Sequence, residues 1–412
     1  MNTPFVPAKT IGALRGSNLC PFVESCVALL KKQGYKSGTA IRHVHLFSHL
    51  HRWLTRTRRH LRELNEELLE TFWQQYLVGR PSKYSAPMML HRLLTILREA
   101  GVTPPAKPIP RTPAQGLADD YRSFLREERG CSDWTVRNYA RHIDRFLAER
   151  FGAGRVELRL LKIVEIIGFV QRTARKHHQG FTKQTVTALR SFLRFLHYRG
   201  KLRSDWAASV PCVAHWRLTA LPKPLSAEDV QKTLDGCDRT TAVGRRDHAI
   251  LLLLARLGLR AGEVVGMQME DIDWENAQLT IRSKKGRGWA RMPLPEDVGK
   301  AIARYLRDDR PSSSPCRNVF VCIHAPHTAL AASVVVSTRA SVAMKRAGVK
   351  SARKGAHILR HSLASEMLRQ GASLDEIGQV LRHQDADTTA IYAKVDLNAL
   401  RRLAVPLRGG VR

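Results

Sequence analysis

Acidic residues are scarce in this sequence: 36 Asp and Glu stand against 68 Lys and Arg, a formal net charge of +32 over 412 residues. A surplus of that size argues against an acidic or neutral partner and for a polyanionic one. Long apolar runs are also missing. The longest, Ala249 to Leu254, is core-sized and far short of the roughly 18 residues that a membrane span needs. Met1 to Arg15 contains no apolar segment of signal-peptide type, so a cytoplasmic, nucleoid-associated location with no membrane partner is expected. The seven cysteines (Cys20, Cys26, Cys131, Cys212, Cys237, Cys316, Cys322) are odd in number and scattered. None forms a C-x-x-C pair, and no His pair sits beside them at zinc-ligand spacing. Neither a disulfide framework nor a zinc site is expected. No Asp/Glu cluster for catalytic Mg²⁺ is apparent, so no cofactor and no metal are expected.

The charge is spread evenly. Residues 1–110 carry 16 basic and 6 acidic groups, residues 111–215 carry 20 and 10, and residues 216–412 carry 32 and 20. No single tail holds the excess. Two proline-bearing stretches, Thr103 to Pro113 and Pro211 to Pro224, resist helix and sheet and read as linkers. They divide the chain into a first domain at 1–102, a second at 114–206, a third at 222–405 and a tail at 406–412.

The first two blocks read as copies. Leu90, Leu93, Leu94 and Leu97 form a helical stripe that recurs as Leu189, Phe192, Leu193 and Leu196 at an offset of 99. Thr39, Phe47 and Leu50 correspond to Thr135, Ile143 and Phe146 at an offset of 96. Turns open the second helix of each block, at Lys36 to Thr39 and at Ser132 to Thr135. Tandem all-helical domains are the expectation. Arg137, Arg141 and Arg145 in the second block share a helix face, as do Lys183, Arg190 and Arg194. A solvated face is the plain reading of such spacing; the overall charge turns it toward DNA phosphates.

The third block is mixed. Ser226 with Asp229, and Ser373 with Glu376, open helices with a hydroxyl cap and an acidic third position. Asp247 to Leu257 predicts an apolar helix. Gln278 to Arg282 alternates as a strand, a tight Lys-Gly-Arg-Gly turn follows, and Trp289 to Leu294 returns as the antiparallel partner. The expected class is mainly α: two helical DNA-binding domains, then a helical catalytic domain with a small antiparallel sheet.

The chemistry-bearing residues lie in that block. Gly258-Leu-Arg-Ala-Gly-Glu263 sets Arg260 just past a buried helix, with Glu263 one turn on to fix its neighbours. His357-Ile-Leu-Arg360-His361 puts two imidazoles and a guanidinium on one helix face, with Leu359 and Leu363 turned toward the core. Such a face suits an anion. A metal site at His357 and His361 is disfavoured, because Ile358 replaces the Glu of the metalloprotease pattern and Arg360 lies between the would-be ligands. Leu381-Arg-His383 follows, and nine residues later Tyr392.

In order and spacing these residues resemble the tyrosine recombinase (phage integrase) family, whose pattern is an Arg, a hairpin Lys, H-x-x-R, a second His, and a Tyr about nine residues beyond it. Arg260, Lys285, His357 with Arg360, His383 and Tyr392 fill those places, with Lys284 competing for the hairpin position; Lys284 and Arg287 are also candidates for DNA binding. The resemblance covers about 180 residues of the last block, and the second block resembles the family's core-binding domain. Two features depart from it: Arg382 stands where the family commonly has Gly, and the N-terminal copy exceeds the two-domain plan.

The resemblance implies DNA cleavage and rejoining through a 3′-phosphotyrosine, with Tyr392 as nucleophile. The guanidiniums of Arg260 and Arg360 would grip the phosphate, and the lysine would protonate the leaving 5′-hydroxyl. It assigns His357 and His383 to the site, with Glu263 and His361 in support. It also implies double-stranded recombination sites and four protomers on DNA, with room for accessory recombinases or directionality factors, in integration or transposition of a mobile element. A type IB topoisomerase and a catalytically silent DNA-binding protein are the competing functions.

Overall fold

The computed structural model describes residues 5–12, 14–77, 86–106, 111–212, 224–282, 288–351, 353–383 and 386–393. It is mainly helical, at 64% helix, with one small antiparallel sheet, as the sequence pattern predicts. Residues 1–105 and 220–412 form one compact unit, and residues 106–219 form another.

In the first unit the N-terminal residues build α1 (Ala8–Gly12), α2 (Cys20–Lys32), α3 (Ser37–Arg56), α4 (Glu66–Leu77) and α5 (Ala86–Glu99). Ala40, Val44, Phe47, Leu50 and Leu54 line one face of α3 at helical spacing, and all are buried. They pack with Leu90, Leu93, Leu94 and Leu97 of α5 in one core. The turn before α3 differs from its counterpart before α7: Lys36 occupies the N-cap position and makes no side-chain cap, because an ammonium has no lone pair to accept an amide N–H.

The second unit holds α6 (Pro113–Ser123), α7 (Asp133–Phe151), α8 (Ile163–Lys176) and α9 (Gln179–Tyr198). Thr112 and Gln115 cap α6 reciprocally, with Pro113 at the first helical position. The Ser132 hydroxyl accepts from the Thr135 N–H to start α7. Ile143, Phe146, Leu189, Phe192, Leu193 and Leu196 share its core. Helices α2–α5 and α6–α9 run in the same order, with a short 3₁₀ turn between α3 and α4, at Leu61–Glu63, and between α7 and α8, at Leu158–Leu160.

The C-terminal part of the first unit is organised around α11 (Ala242–Arg256). Ala249 to Leu254 are buried all round, so this helix is the centre of a core rather than a surface element. Thr241 caps it, and Ser226 caps α10 (Ala227–Asp235) before it. After α12 (Ala261–Gly266) come β1 (Ile272–Asp273), β2 (Gln278–Arg282) and β3 (Trp289–Pro293), ordered β1-β2-β3. Arg282 pairs with Trp289 and Gln278 with Pro293, the return strand the alternation predicts. Four helices follow after α13 (Glu296–Asp308): α14 (Ser333–Arg346), α15 (Ala356–Arg369), α16 (Leu374–Leu381) and α17 (Ala386–Ala393). Ala364, Ile377, Leu381 and Tyr392 form a small cluster of their own. Among the described residues no helix is long and apolar enough to cross a membrane.

Candidate active site

Arg260 is placed by a backbone reversal. α11 ends at Arg256 with Leu257 as its C-cap, and Gly258 adopts a left-handed φ of +58°. A Cβ there would stand 2.6 Å from Leu381 and 3.0 Å from Leu363, so both the conformation and the space require glycine. Arg260 then occupies the N-cap position of α12. Its backbone N–H donates to Glu263 at 2.8 Å, and its guanidinium donates to the other oxygen of the same carboxylate at 2.9 Å. A third bond runs from the guanidinium to the Arg382 carbonyl at 3.1 Å. Glu263 is mostly buried. Burial alone would raise its pKa, but the Arg260 N–H and the Arg382 and Arg260 guanidiniums outweigh that and hold the carboxyl below its usual range.

Arg382 explains its own departure from the family pattern. It caps the C-terminus of α16 in the left-handed region, φ 53° and ψ 49°, the place that glycine most easily takes. Its guanidinium turns back to Glu263 at 3.1 Å. One carboxylate therefore ties two arginines from distant parts of the chain. Sequence reasoning missed this pair; the signal available was an Arg at a position whose family residue is Gly.

Arg360, on the buried side of α15, donates to the carbonyls of Gly258 and Leu381. Both lie at ends of neighbouring helices, so the guanidinium joins the segment before α12 to the end of α16. Burial and the like charges of Arg260 and Arg382 lower Arg360 to about 10, which still leaves it charged at neutral pH. On the same helix His357 is exposed while Leu359 is fully buried. Leu363 is only partly buried and packs against the cluster around Tyr392.

Tyr392, on α17, is 1% exposed. Its hydroxyl lies 2.7 Å from His361 Nδ1. The His383 ring runs parallel to the phenol ring with centroids 6.4 Å apart, and His383 Nδ1 lies 2.8 Å from the Thr389 hydroxyl. Burial pushes Tyr392 up to about 12, against the pull of the Arg360 charge. Burial, with the neighbouring imidazoles and arginines, pushes His361 and His383 down to about 4, and the His357 ring lies 6.4 Å from that of His361. The phenol thus rests neutral, beside an imidazole that is also neutral.

These shifts carry a stability consequence. The unfolded chain binds protons on His361 and His383 as pH falls through about 6.5, whereas the folded chain resists until about 4. The stability that these two imidazoles contribute is therefore fully present above about 6.5 and is lost progressively down to about 4. His361→Gln, which keeps an acceptor for the phenol, is expected to lose less of its melting temperature between pH 7 and pH 5 than the parent protein. Equal losses in the two proteins would overturn the assignment of His361 as a proton-resisting group.

Of the residues singled out by sequence, Arg260, Glu263, His357, Arg360, His361, His383 and Tyr392 lie in one network linked by the contacts and charge interactions above. Lys284, Lys285 and Arg287, with the turn they belong to, lie outside the described residues. In the second unit Arg137, Arg141, Lys183 and Arg194 are exposed. Arg145 lies 2.6 Å from His177 and over the Phe181 ring. Arg190 is half-buried and donates to the Val210 carbonyl at 2.7 Å, which ties it to the segment after α9.

Comparison with known proteins gives this arrangement its place. Residues 223–398 match the phage integrase family, and residues 118–200 match the phage integrase N-terminal SAM-like domain. The integrase/recombinase y4rA of Sinorhizobium fredii is 42% identical over 81% of this chain and 81% of its own length. The chain belongs to the phage integrase family. It is a site-specific tyrosine recombinase. Tyrosine recombinase XerD of Listeria monocytogenes is 30% identical to it over 68% of this chain and 94% of its own. The fold is shared with a solved XerH recombinase bound to a palindromic difH substrate in a post-cleavage complex, at TM-score 0.55 and 19% identity over 69% of this chain and 83% of that one. Residues 1–102 fall outside both family matches, so this recombinase carries a helical module that the two matched domains do not account for.

Proposed function

We propose that this recombinase cuts and rejoins double-stranded DNA through a 3′-phosphotyrosine on Tyr392, in the integration or transposition of a mobile element. The observation that carries the reading is the tie between three separated segments: the Gly258–Glu263 turn, α15 and the end of α16 are held together by Arg260, Arg360, Glu263 and Arg382, with Tyr392 packed beside them. A phosphodiester set against Arg260 and Arg360 would lose the charge repulsion that protects it from a nucleophile, and both forks would oppose the charge that grows in the transition state. Tyr392 attacks phosphorus, its proton passes to a neighbouring base, and the 5′-oxygen leaves with a proton from the hairpin lysine, Lys285 or Lys284. His357 and His383 hydrogen-bond the phosphate. The ester conserves the bond energy, so a second strand's 5′-hydroxyl reverses the step without ATP.

The division of labour follows the domains: 222–405 for catalysis, 114–206 for gripping the core site through α7 and α9, and 1–102 as a further helical module copied from the second. Four protomers on two duplexes make the working assembly, with accessory recombinases or directionality factors able to bias it. Relaxation without site-specific synapsis is the disfavoured alternative, because residues 118–200 match the family's SAM-like domain. The test is to trap the protein on a nicked duplex carrying its recombination site, digest it, and locate the nucleotide by mass spectrometry. The label is expected on the peptide containing Tyr392; a label on another residue overturns the assignment.

A further inference from the structure

Helix α3 contains no Asp or Glu in its twenty residues, Ser37–Arg56. Its buried side is mainly apolar, with His43 and Ser48 among the buried residues; its other side presents Arg42, His45, His49, Arg52 and Arg56 at spacings of three and four. That spacing puts them in one stripe about 21 Å long. Arg42, Arg52 and Arg56 are exposed, and among the described residues no carboxylate forms an ion pair with any of them. Two of the module's six carboxylates are paired with other arginines: Glu63 with Arg59 and Glu66 with Arg98.

Between α3 and α4 the C-terminal half of the stripe borders a groove of about 330 Å³, lined by His49, Arg52, Arg56, Tyr76, the buried Trp53 and the exposed Gln75. Trp53 Nε1 donates to Gln75 Oε1 at 2.6 Å, so the indole N–H is satisfied without a charge. The corresponding place in the second unit is built differently. At the offsets of 96 and 97 that align the helices, Trp53 and Gln75 become Glu149 and Arg172, which form an ion pair at 2.8 Å. His45 and His49 become Arg141 and Arg145. Arg42, Arg52 and Arg56 become Asn138, Ala148 and Gly152, so those three arginines belong to the first copy alone, while the carboxylate beside them is present only in the second.

We infer that the α3 stripe, Arg42 to Arg56, with the groove it borders, is a second duplex-DNA backbone site, separate from the surfaces that grip the cleavage site. A row of unneutralised guanidiniums on a rigid helix matches a phosphate line, and the absence of a carboxylate removes the repulsion that would limit it. Contacts to phosphates carry no sequence information directly, so the site adds affinity and reach more than sequence choice. The inference takes its partner from the proposed DNA reading but not its chemistry from cleavage.

The test uses the full chain and a fluorescent duplex of arbitrary sequence, several helical turns long. Three proteins are compared over a range of salt: the parent, Arg42→Gln/Arg52→Gln/Arg56→Gln, and the control Arg15→Gln/Lys31→Gln/Lys32→Gln on another face of the module. Each lost phosphate contact lowers the slope of log affinity against log salt by about 0.9. The α3 variant is expected to lose two to three contacts' worth of slope, and its affinity to fall on the order of tenfold or more at 0.15 M salt. Arg→Lys at the same three positions is expected to recover most of it, which separates lost charge from lost folding. An unchanged slope, or an equal drop in the control, overturns the proposal. Failure of the parent to form a covalent adduct would instead count against cleavage and leave this binding result standing.

Discussion

Tyr392→Phe is expected to lower the rate of covalent DNA capture by a factor on the order of 10⁶, as removal of a sole nucleophile does, and to leave DNA affinity within about twofold. The two halves of the result have separate causes. The phenol ring fills the cluster of Ala364, Ile377 and Leu381, and phenylalanine fills the same space. The lost atom is the oxygen that meets His361. Removing that single hydrogen bond costs about 1 kcal/mol of stability, too little to unfold a domain. Binding rests on the cationic surfaces, which the change does not touch. The readout is denaturant-resistant protein–DNA adduct on a nicked site, beside a binding isotherm on the intact duplex. Residual adduct at the parent rate would remove Tyr392 from the reaction. Adduct and binding lost together would mean that the phenol holds the fold rather than doing the chemistry.

The elements that could be read from sequence are those whose cause is local. Ser226 and Ser373 cap helices because a hydroxyl lies three residues before an amide it can reach, and both do so here. The Gln278–Arg282 strand and its return at Trp289 follow from period-two alternation. The leucine stripes of α5 and the Leu189–Leu196 face of α9 follow from period 3.6. What stayed hidden depends on pairs far apart in the chain. Nothing near Arg382 announces that it meets Glu263, 119 positions earlier. Nothing near His361 places it against Tyr392 rather than against a phosphate. The sequence spacing put His357, Arg360 and His361 on one face, yet their exposures diverge: His357 is open, Arg360 is 5% exposed, and His361 lies between. Periodicity gives the direction in which a side chain leaves its helix; the neighbour that covers it comes from elsewhere in the fold.

That divergence yields the second large expected effect, a contrast between the two arginines proposed to grip the phosphate. Arg360→Lys is expected to slow cleavage by about 10² to 10³-fold and also to destabilise the protein by about 3 kcal/mol. Arg260→Lys is expected to slow cleavage to a similar degree with a stability cost of about 1 kcal/mol or less. The rate losses are alike because a lysine offers a point charge where a planar fork is needed against two phosphate oxygens. The stability losses differ because of what each guanidinium does before any DNA arrives. Arg360 satisfies the carbonyls of Gly258 and Leu381 in a buried setting; an ammonium on a shorter, differently aimed stem reaches one of them at best and leaves the other unpaired. Arg260 has 42% of its side chain exposed, and its partner Glu263 retains Arg382 when the fork is lost. Thermal melts and single-turnover cleavage on the same preparations separate the two quantities. Equal destabilisation by the two substitutions would show that the carbonyl clamp does not hold the helix ends together. A full cleavage rate in Arg360→Lys would remove its guanidinium from the phosphate.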